Sequence, residues 1–254
     1  MSRAAALVYG VVCYVVFFVT FLYLTGFVSN LGVPRSIDSG AAGPLGAALA
    51  VDTALVILFA LQHSVMARPG FKVWWTRFVP PPIERSTYVL ASSAVLIALF
   101  AFWRPIPEPV WHTEGATAAW LTAGLFAGVG MVLLSTLLID HFDLFGLRQV
   151  VLHFRGQSYE DKRFATPFLY KWIRHPLYVG WLMTFWIAPT MSAGHFLFAL
   201  VMTAYILVAI PFEERDLLRA LGEPYRRWRS RTPRFVPRIG RVAVQTRRSV
   251  AKSS

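Results

Sequence analysis

Residues 176–212 read PLYVGWLMTFWIAPTMSAGHFLFALVMTAYILVAIPF, a run of 37 positions without an Asp, Glu, Lys or Arg. A helix rises about 1.5 Å per residue and a bilayer core is about 30 Å thick, so one crossing takes about 20 residues. The run is too long for one crossing and long enough for two. Pro189 and the Ser192-Ala193-Gly194 triplet interrupt it near the middle, where a continuous helix is disfavoured. The stretch reads as a helical hairpin, two antiparallel crossings joined by a turn.

Working outward, four more apolar runs precede it. Ala4 to Pro34 carries no charge, and its apolar part ends near Val28. Gly43 to Ala67 is interrupted only by Asp52 and His63, Ser86 to Trp103 gives 18 uncharged residues, and Gly115 to Ile139 gives 25. The sum is an all-α integral membrane protein with about six transmembrane helices, the last two forming a C-terminal hairpin, and with no Rossmann domain. Composition agrees: 56% of residues are hydrophobic and 15% charged, too few charges to cover a soluble domain of this size. The first run follows Met1-Ser2-Arg3, is longer than the apolar core of a secretory signal and lacks a convincing cleavage site, so it is expected to remain as the first span. Cys13, the single cysteine, can form no internal disulfide.

Loop charges test the crossing count. Basic residues outside the spans fall as Arg3; Arg35; Arg68, Lys72, Arg77 and Arg85; Arg104; then Arg148, Arg155, Lys162, Arg163, Lys171 and Arg174; none in the hairpin turn; and 12 after Phe212. From the second group on, poor and rich segments alternate. The positive-inside rule then puts the 68–85 loop, the 140–175 loop and both termini in the cytoplasm, and the membrane expected is a bacterial inner membrane. The last two rich segments share a side only if 176–212 crosses twice. The net charge of +12 is thus spent on topology and on anionic lipid headgroups, not nucleic acid. Residues 1–240 read as a single membrane-embedded domain, followed at 241–254 by a basic, disordered tail.

Ionisable groups at the ends of membrane helices are costly unless they are paired or functional. Five of the six helices bring such groups to the cytoplasmic end: Gln62-His63; Glu84-Arg85; Asp140-His141 with Asp143; Arg174-His175 with Tyr178; and Glu213-Glu214-Arg215. Each also has a structural reading. Glu213-Glu214 can be a solvated interfacial pair, Arg174 a topology anchor, His63 a histidine satisfied by a backbone carbonyl, and Asp140 a partner of Arg148 or His141. Asp52, on the outer half, reads as a packing residue. His112, His153 and His195 fall in loops or turns without distinctive context. The six histidines include no H-x-x-H or H-x-x-x-H pair and there is no second cysteine, so no metal is expected.

Tyr170-Lys171-Trp172-Ile173-Arg174-His175-Pro176-Leu177-Tyr178-Val179-Gly180 resembles the Y-x-x-x-R-H-P-x-Y-x-G motif of the integral-membrane methyltransferases, the superfamily of isoprenylcysteine carboxyl methyltransferase and the phospholipid N-methyltransferases. Glu213-Glu214-x-x-Leu217 and Gly222-x-x-Tyr225-x-x-Trp228-x-x-Arg231-x-Pro233 resemble the C-terminal half of the same family, with Trp228 where a tyrosine is usual. Phe168-Leu169 stand where the family often carries Gly-Pro. Gln62-His63-Ser64-Val65-Met66-Ala67-Arg68-Pro69 and Glu84-Arg85-Ser86-Thr87-Tyr88-Val89 look like the NnrU-like branch, and within it the chain is similar over most of residues 1–240 to methanethiol S-methyltransferases.

The resemblance implies S-adenosylmethionine as methyl donor and a small thiol, methanethiol, as acceptor, giving dimethyl sulfide. It implicates Arg174, His175, Tyr178, Gly180, Glu213 and Glu214 in the donor pocket, with Tyr170 and Tyr225 as walls, and Gly180 letting the donor approach the helix backbone. Thiolate is the competent nucleophile, so a base is useful. His63 is the candidate, oriented or charged by Asp140 or Glu84, with Arg85 or Arg174 organising carboxylates. Two other readings stay open: a methyltransferase for a lipid-borne acceptor, such as a prenylcysteine carboxylate or lipid amine, and a non-catalytic membrane accessory protein.

Overall fold

The computed structural model describes residues 1–160 and 164–237; the tail expected at 241–254 lies outside them, as do Lys162 and Arg163. In chain order the helices are α1 (Arg3–Ser29), α2 (Leu45–Ala67), α3 (Pro69–Trp75), α4 (Pro81–Phe102), α5 (Gly115–Ile139), α6 (His141–Leu144), α7 (Leu147–Phe154), α8 (Pro176–Trp186), α9 (Ala193–Leu221) and α10 (Glu223–Arg231), with a 3-10 turn at Phe168–Lys171. Strands β1 (Pro109–His112) and β2 (Thr190–Ser192) form one antiparallel pair, the only sheet among the described residues.

Helices α1, α2, α4, α5 and α9 are long and apolar enough to cross a membrane, and at most 39% of the most apolar window of any of them is buried inside the protein. Many of their other apolar side chains, among them Val8, Leu58, Leu137 and Val208, face outward, as lipid permits and water does not. The sixth crossing is built differently. Helix α8 has 11 residues, about 16 Å of helix, and the non-helical residues 187–189 carry the chain the rest of the way to β2. Since β2 pairs with β1, in the α4–α5 connection, residue 190 lies at the opposite end of the bundle from His175. Helix α9 then returns, and the stretch from Ala193 to Phe212 spans about 30 Å, the depth of one bilayer core.

Local sequence sets these boundaries. The Ser2 hydroxyl caps α1 by accepting from the Ala5 N–H at 3.2 Å, and Asn30 closes it in the left-handed conformation (φ 59°). Proline opens α3, α4 and α8 and stands second in α10, first-turn positions where its missing N–H costs nothing. Ser192 caps α9, accepting from the His195 N–H at 3.0 Å. Pro211 lies inside α9 and removes one helical hydrogen bond two residues before Glu213.

At the sheet end, Asp38 joins Asn30 (2.7 Å) and the Ser192 hydroxyl, and fully buried Asp52 accepts the Arg104 backbone N–H at 2.9 Å. His195 is not in a loop, as the sequence suggested, but in the first turn of α9, where its Nε2 meets the Phe185 carbonyl (2.9 Å) near the end of α8. At the other end, Arg3 lies against Gly156, just after α7, and Arg234 lies 3.8 Å from Glu214. Both described ends of the chain are therefore on one side, as an even number of crossings requires. Between the two ends an aromatic core of Phe27, Phe100, Trp103, Phe185 and Phe198 joins α1, α4, α8 and α9.

Candidate active site

Glu214 is the most enclosed charge at this polar end, 1% exposed. Its Oε1 lies 3.0 Å from Arg174 Nη1 and 3.0 Å from His175 Nε2, and its Oε2 lies 2.9 Å from Arg229 Nε. The main chain holds this arrangement in register, because the Arg174 and His175 N–H groups donate to the carbonyls of Pro233 and Arg234. The R-H-P segment, α9, α10 and the segment after it are thus tied to one carboxylate. A buried carboxylate is tolerable only with such company.

Glu213, one residue earlier, presents elsewhere: its Oε2 accepts from the Tyr178 hydroxyl at 2.8 Å and the side chain stays half-buried. Tyr225 is buried, and burial together with Glu214 and Glu213 pushes its phenol up to about 12, so it remains protonated at neutral pH. Its hydroxyl and Nε of Arg174 are buried without a protein partner. Tyr170 is buried beside them; its carbonyl accepts from Trp228 Nε1 at 3.0 Å, and burial first, then Glu213, raises its pKa. Phe168 in the turn before it has φ 38°, a left-handed conformation natural to glycine, at the position where the resembled family often carries one.

A second polar junction lies between α2, α4 and α9. His63 Nδ1 meets the Ser92 hydroxyl at 3.3 Å and Nε2 meets the Tyr88 hydroxyl at 3.0 Å. Ser64 reaches Tyr205 at 3.5 Å, and Arg68 pairs with Asp216 at 2.8 Å. The two junctions adjoin: Tyr178 is within electrostatic reach of Glu213, Tyr205 and Tyr88. A cavity of about 500 Å³ opens beside them, lined by Arg68, Phe212, Arg215, Asp216 and Arg219.

Several expected roles fall differently. Asp140 does not meet His63; it caps α6, its Oδ1 accepting from the Asp143 N–H at 3.2 Å. The carboxylate that gathers arginines at this corner is Asp143, 3.2 Å from Arg148 and 3.8 Å from Arg85, so Arg85 has a carboxylate partner other than the expected ones. Glu84 sits one turn before Tyr88 on α4, close enough to act on it electrostatically, but Ser92 and Tyr88, not Glu84, hold the His63 ring. Gly180, expected in the donor pocket, packs against α5. A Cβ there would come within 2.8 Å of the Gly128 carbonyl, so it is a contact between α5 and α8. Sequence reasoning missed Tyr88, Tyr205, Arg229 and Arg234. Tyr88 was visible inside the quoted Glu84–Val89 segment, whereas the two arginines are masked by the general excess of basic residues after Phe212.

The chain is 54% identical to methanethiol S-methyltransferase 2 of Bradyrhizobium diazoefficiens over 94% of its own length and 92% of that protein. It is 50% identical to the methanethiol S-methyltransferase of Mycobacterium tuberculosis over 93% and 98%, and 32% identical to Nurim of Sus scrofa over 66% and 68%. No family model matches the chain, and no solved structure does.

Proposed function

The chain belongs to the methanethiol S-methyltransferase family, and on that premise we propose that it transfers a methyl group from S-adenosylmethionine to methanethiol, giving dimethyl sulfide, at the end of the bundle where α8 meets Glu213 and Glu214. The observation that carries this reading is the pair of adjacent glutamates with different duties. Glu214 is consumed in holding Arg174, His175 and Arg229, while Glu213 stays half-buried and is oriented by Tyr178.

The residues suit a donor that carries a carboxylate, an ammonium and a ribose diol. Arg174, Arg229 and Arg234 outnumber the one carboxylate they surround, which leaves positive charge for an anionic group. Glu213 can accept from hydroxyls or an ammonium. The Tyr225 hydroxyl and Arg174 Nε, buried and unpartnered, offer two further hydrogen bonds; burial lowers the Arg174 pKa, an effect opposed by Glu214, and the guanidinium stays charged near neutrality. Bound there, S-adenosylmethionine supplies an electrophilic methyl carbon on a sulfonium.

The chain's own part is to exclude water, position the thiol and take its proton. Joining a sulfonium and a thiolate cancels charge, so an apolar setting favours the reaction over the separated ions. His63 is the proton acceptor, its ring held by Ser92 and Tyr88. The excess of basic residues in the 68–85 and 140–175 loops supports an orientation with this end facing the cytoplasm, where the donor is made.

The test is headspace detection of dimethyl sulfide from methanethiol and S-adenosylmethionine with purified protein, beside calorimetric binding of the donor. Formation of the sulfide, and its loss in Glu213→Ala together with donor binding, are expected. Donor binding with methylation of a lipid amine or prenylcysteine in place of methanethiol would transfer the reading to a lipid acceptor. No donor binding would end it.

A further inference from the structure

The hydroxyls around His63 dictate which way a proton can move. Ser92 has one hydroxyl hydrogen, and it goes to the Tyr88 carbonyl at 3.0 Å. Toward His63 Nδ1, at 3.3 Å, Ser92 therefore accepts, and Nδ1 carries the ring hydrogen. Nε2 is then the bare nitrogen, and the Tyr88 hydroxyl donates to it at 3.0 Å in preference to the His63 carbonyl at 3.3 Å. Both ring nitrogens are occupied, so no lone pair of His63 faces a substrate. The Tyr88 oxygen, having given its hydrogen to Nε2, keeps lone pairs of its own.

We infer that Tyr88 is the catalytic residue that touches the thiol, passing its proton to His63. This rests on the thiol-methyltransferase reading above. In the step, the S–H proton of methanethiol moves to the Tyr88 oxygen as the Tyr88 hydroxyl proton moves to His63 Nε2. The sulfur electron pair forms the new S–C bond, and the old C–S⁺ bond breaks with its pair left on the sulfur of S-adenosylhomocysteine. One proton is released per turnover, returned through Tyr88 once the products leave. Because both transfers occur together, Tyr88 never bears a full negative charge, which an apolar setting would penalise.

The surroundings suit a small apolar thiol. Phe59 packs against His63 (ring centroids 5.3 Å) and Tyr205 (6.3 Å), and His63 packs on Tyr88 (5.2 Å). These four rings give sulfur the aromatic contacts it favours. Tyr88 and Tyr205 are only partly buried, and Tyr178 links them to Glu213. The other groups acting on the pair are Arg68 at the end of α2 and Glu84 and Arg85 one turn before Tyr88 on α4.

The experiment compares wild type, Tyr88→Phe and His63→Gln in detergent with two acceptors: methanethiol, and a fluorinated alkanethiol already largely ionised at the assay pH. S-adenosylhomocysteine affinity and melting temperature check that the fold and donor site are intact. Both variants are expected to lose about 100-fold or more in kcat with methanethiol, and to recover to within about threefold of wild type with the ionised thiol. Their residual methanethiol rate should rise about tenfold per pH unit, following the thiolate fraction. A Tyr88→Phe rate with methanethiol within about threefold of wild type would overturn the relay. Equal losses with both thiols would overturn it too, assigning Tyr88 a structural role. If the wild type makes no dimethyl sulfide, the underlying reading fails first, and the relay with it.

Discussion

Gly180 on α8 and Gly128 on α5 face each other so closely that a Cβ added to either would lie 2.8 Å from the other's carbonyl oxygen. Such mutual approach of two backbones is how helices gain contact in a membrane, where burial of apolar area gives no advantage over lipid. Helix α8 is only 11 residues long, and this contact fixes the helix that presents His175 and Tyr178 to α9.

Gly180→Ala and Gly128→Ala are each expected to destabilise the protein by about 1–3 kcal/mol, the usual cost of overpacking, because the clashing atoms are backbone and cannot rotate away. Thermal unfolding in detergent measures this. Donor affinity should fall only in step with stability. A Gly180→Ala protein that melts normally but binds donor weakly would restore the glycine to the pocket wall.

Glu213 and Glu214 are expected to separate cleanly. Glu214→Gln leaves the Arg174 guanidinium, 11% exposed, without its counter-charge and should cost about 3 kcal/mol or more of stability. Glu213→Gln keeps an acceptor for Tyr178 and should change stability by less than about 1 kcal/mol, while donor affinity drops about tenfold or more, the worth of a charged hydrogen bond. Melting curves and calorimetric titration of both variants decide it; equal effects on both readouts would refute the division.

Much of this architecture was legible because lipid imposes a simple rule on the chain. The apolar runs at Gly43–Ala67 and Gly115–Ile139 became α2 and α5 nearly residue for residue, and the 37-residue run divided at Pro189 and Ser192 as its length demanded. Which face a residue presents was not legible. A helix that is apolar all round carries no stripe to orient it, so nothing marked Gly180 as facing Gly128. Asp140 and Asp143 lie three positions apart at a helical corner, and only the turn after α5 decides which one meets the arginines. Tyr88 reads as one more aromatic in a membrane helix until His63 is placed against it.

Phe168 holds a left-handed conformation (φ 38°) that favours glycine, and its side chain is 59% exposed. Phe168→Gly removes a strain of about 1–2 kcal/mol, offset in part by the roughly 0.5–1 kcal/mol entropic cost of glycine. The net expectation is an unchanged or slightly raised melting temperature, with donor affinity intact. A clear loss of stability would mean that the exposed ring makes a contribution beyond its backbone strain.

His141 should make the corner joining α1, α5 and α6 sensitive to pH. The Thr136 hydroxyl donates to the Leu133 carbonyl at 2.8 Å and so accepts from His141 Nδ1 at 2.9 Å, leaving Nε2 to accept from the Tyr14 hydroxyl at 2.9 Å. The ring is satisfied as a neutral group. Burial lowers its pKa, with Asp140 acting in the opposite direction. Above about pH 6.5, the ordinary histidine value, folded and unfolded chains are both neutral here and the contribution to stability is complete. As pH falls below that value the unfolded chain takes up the proton first, so stability is lost until the lowered folded pKa is reached. Melting temperatures measured from pH 8 to pH 5 should therefore decline more steeply for the wild type than for His141→Gln, which has no proton to gain. Parallel declines in the two proteins would show that other groups govern the acid response.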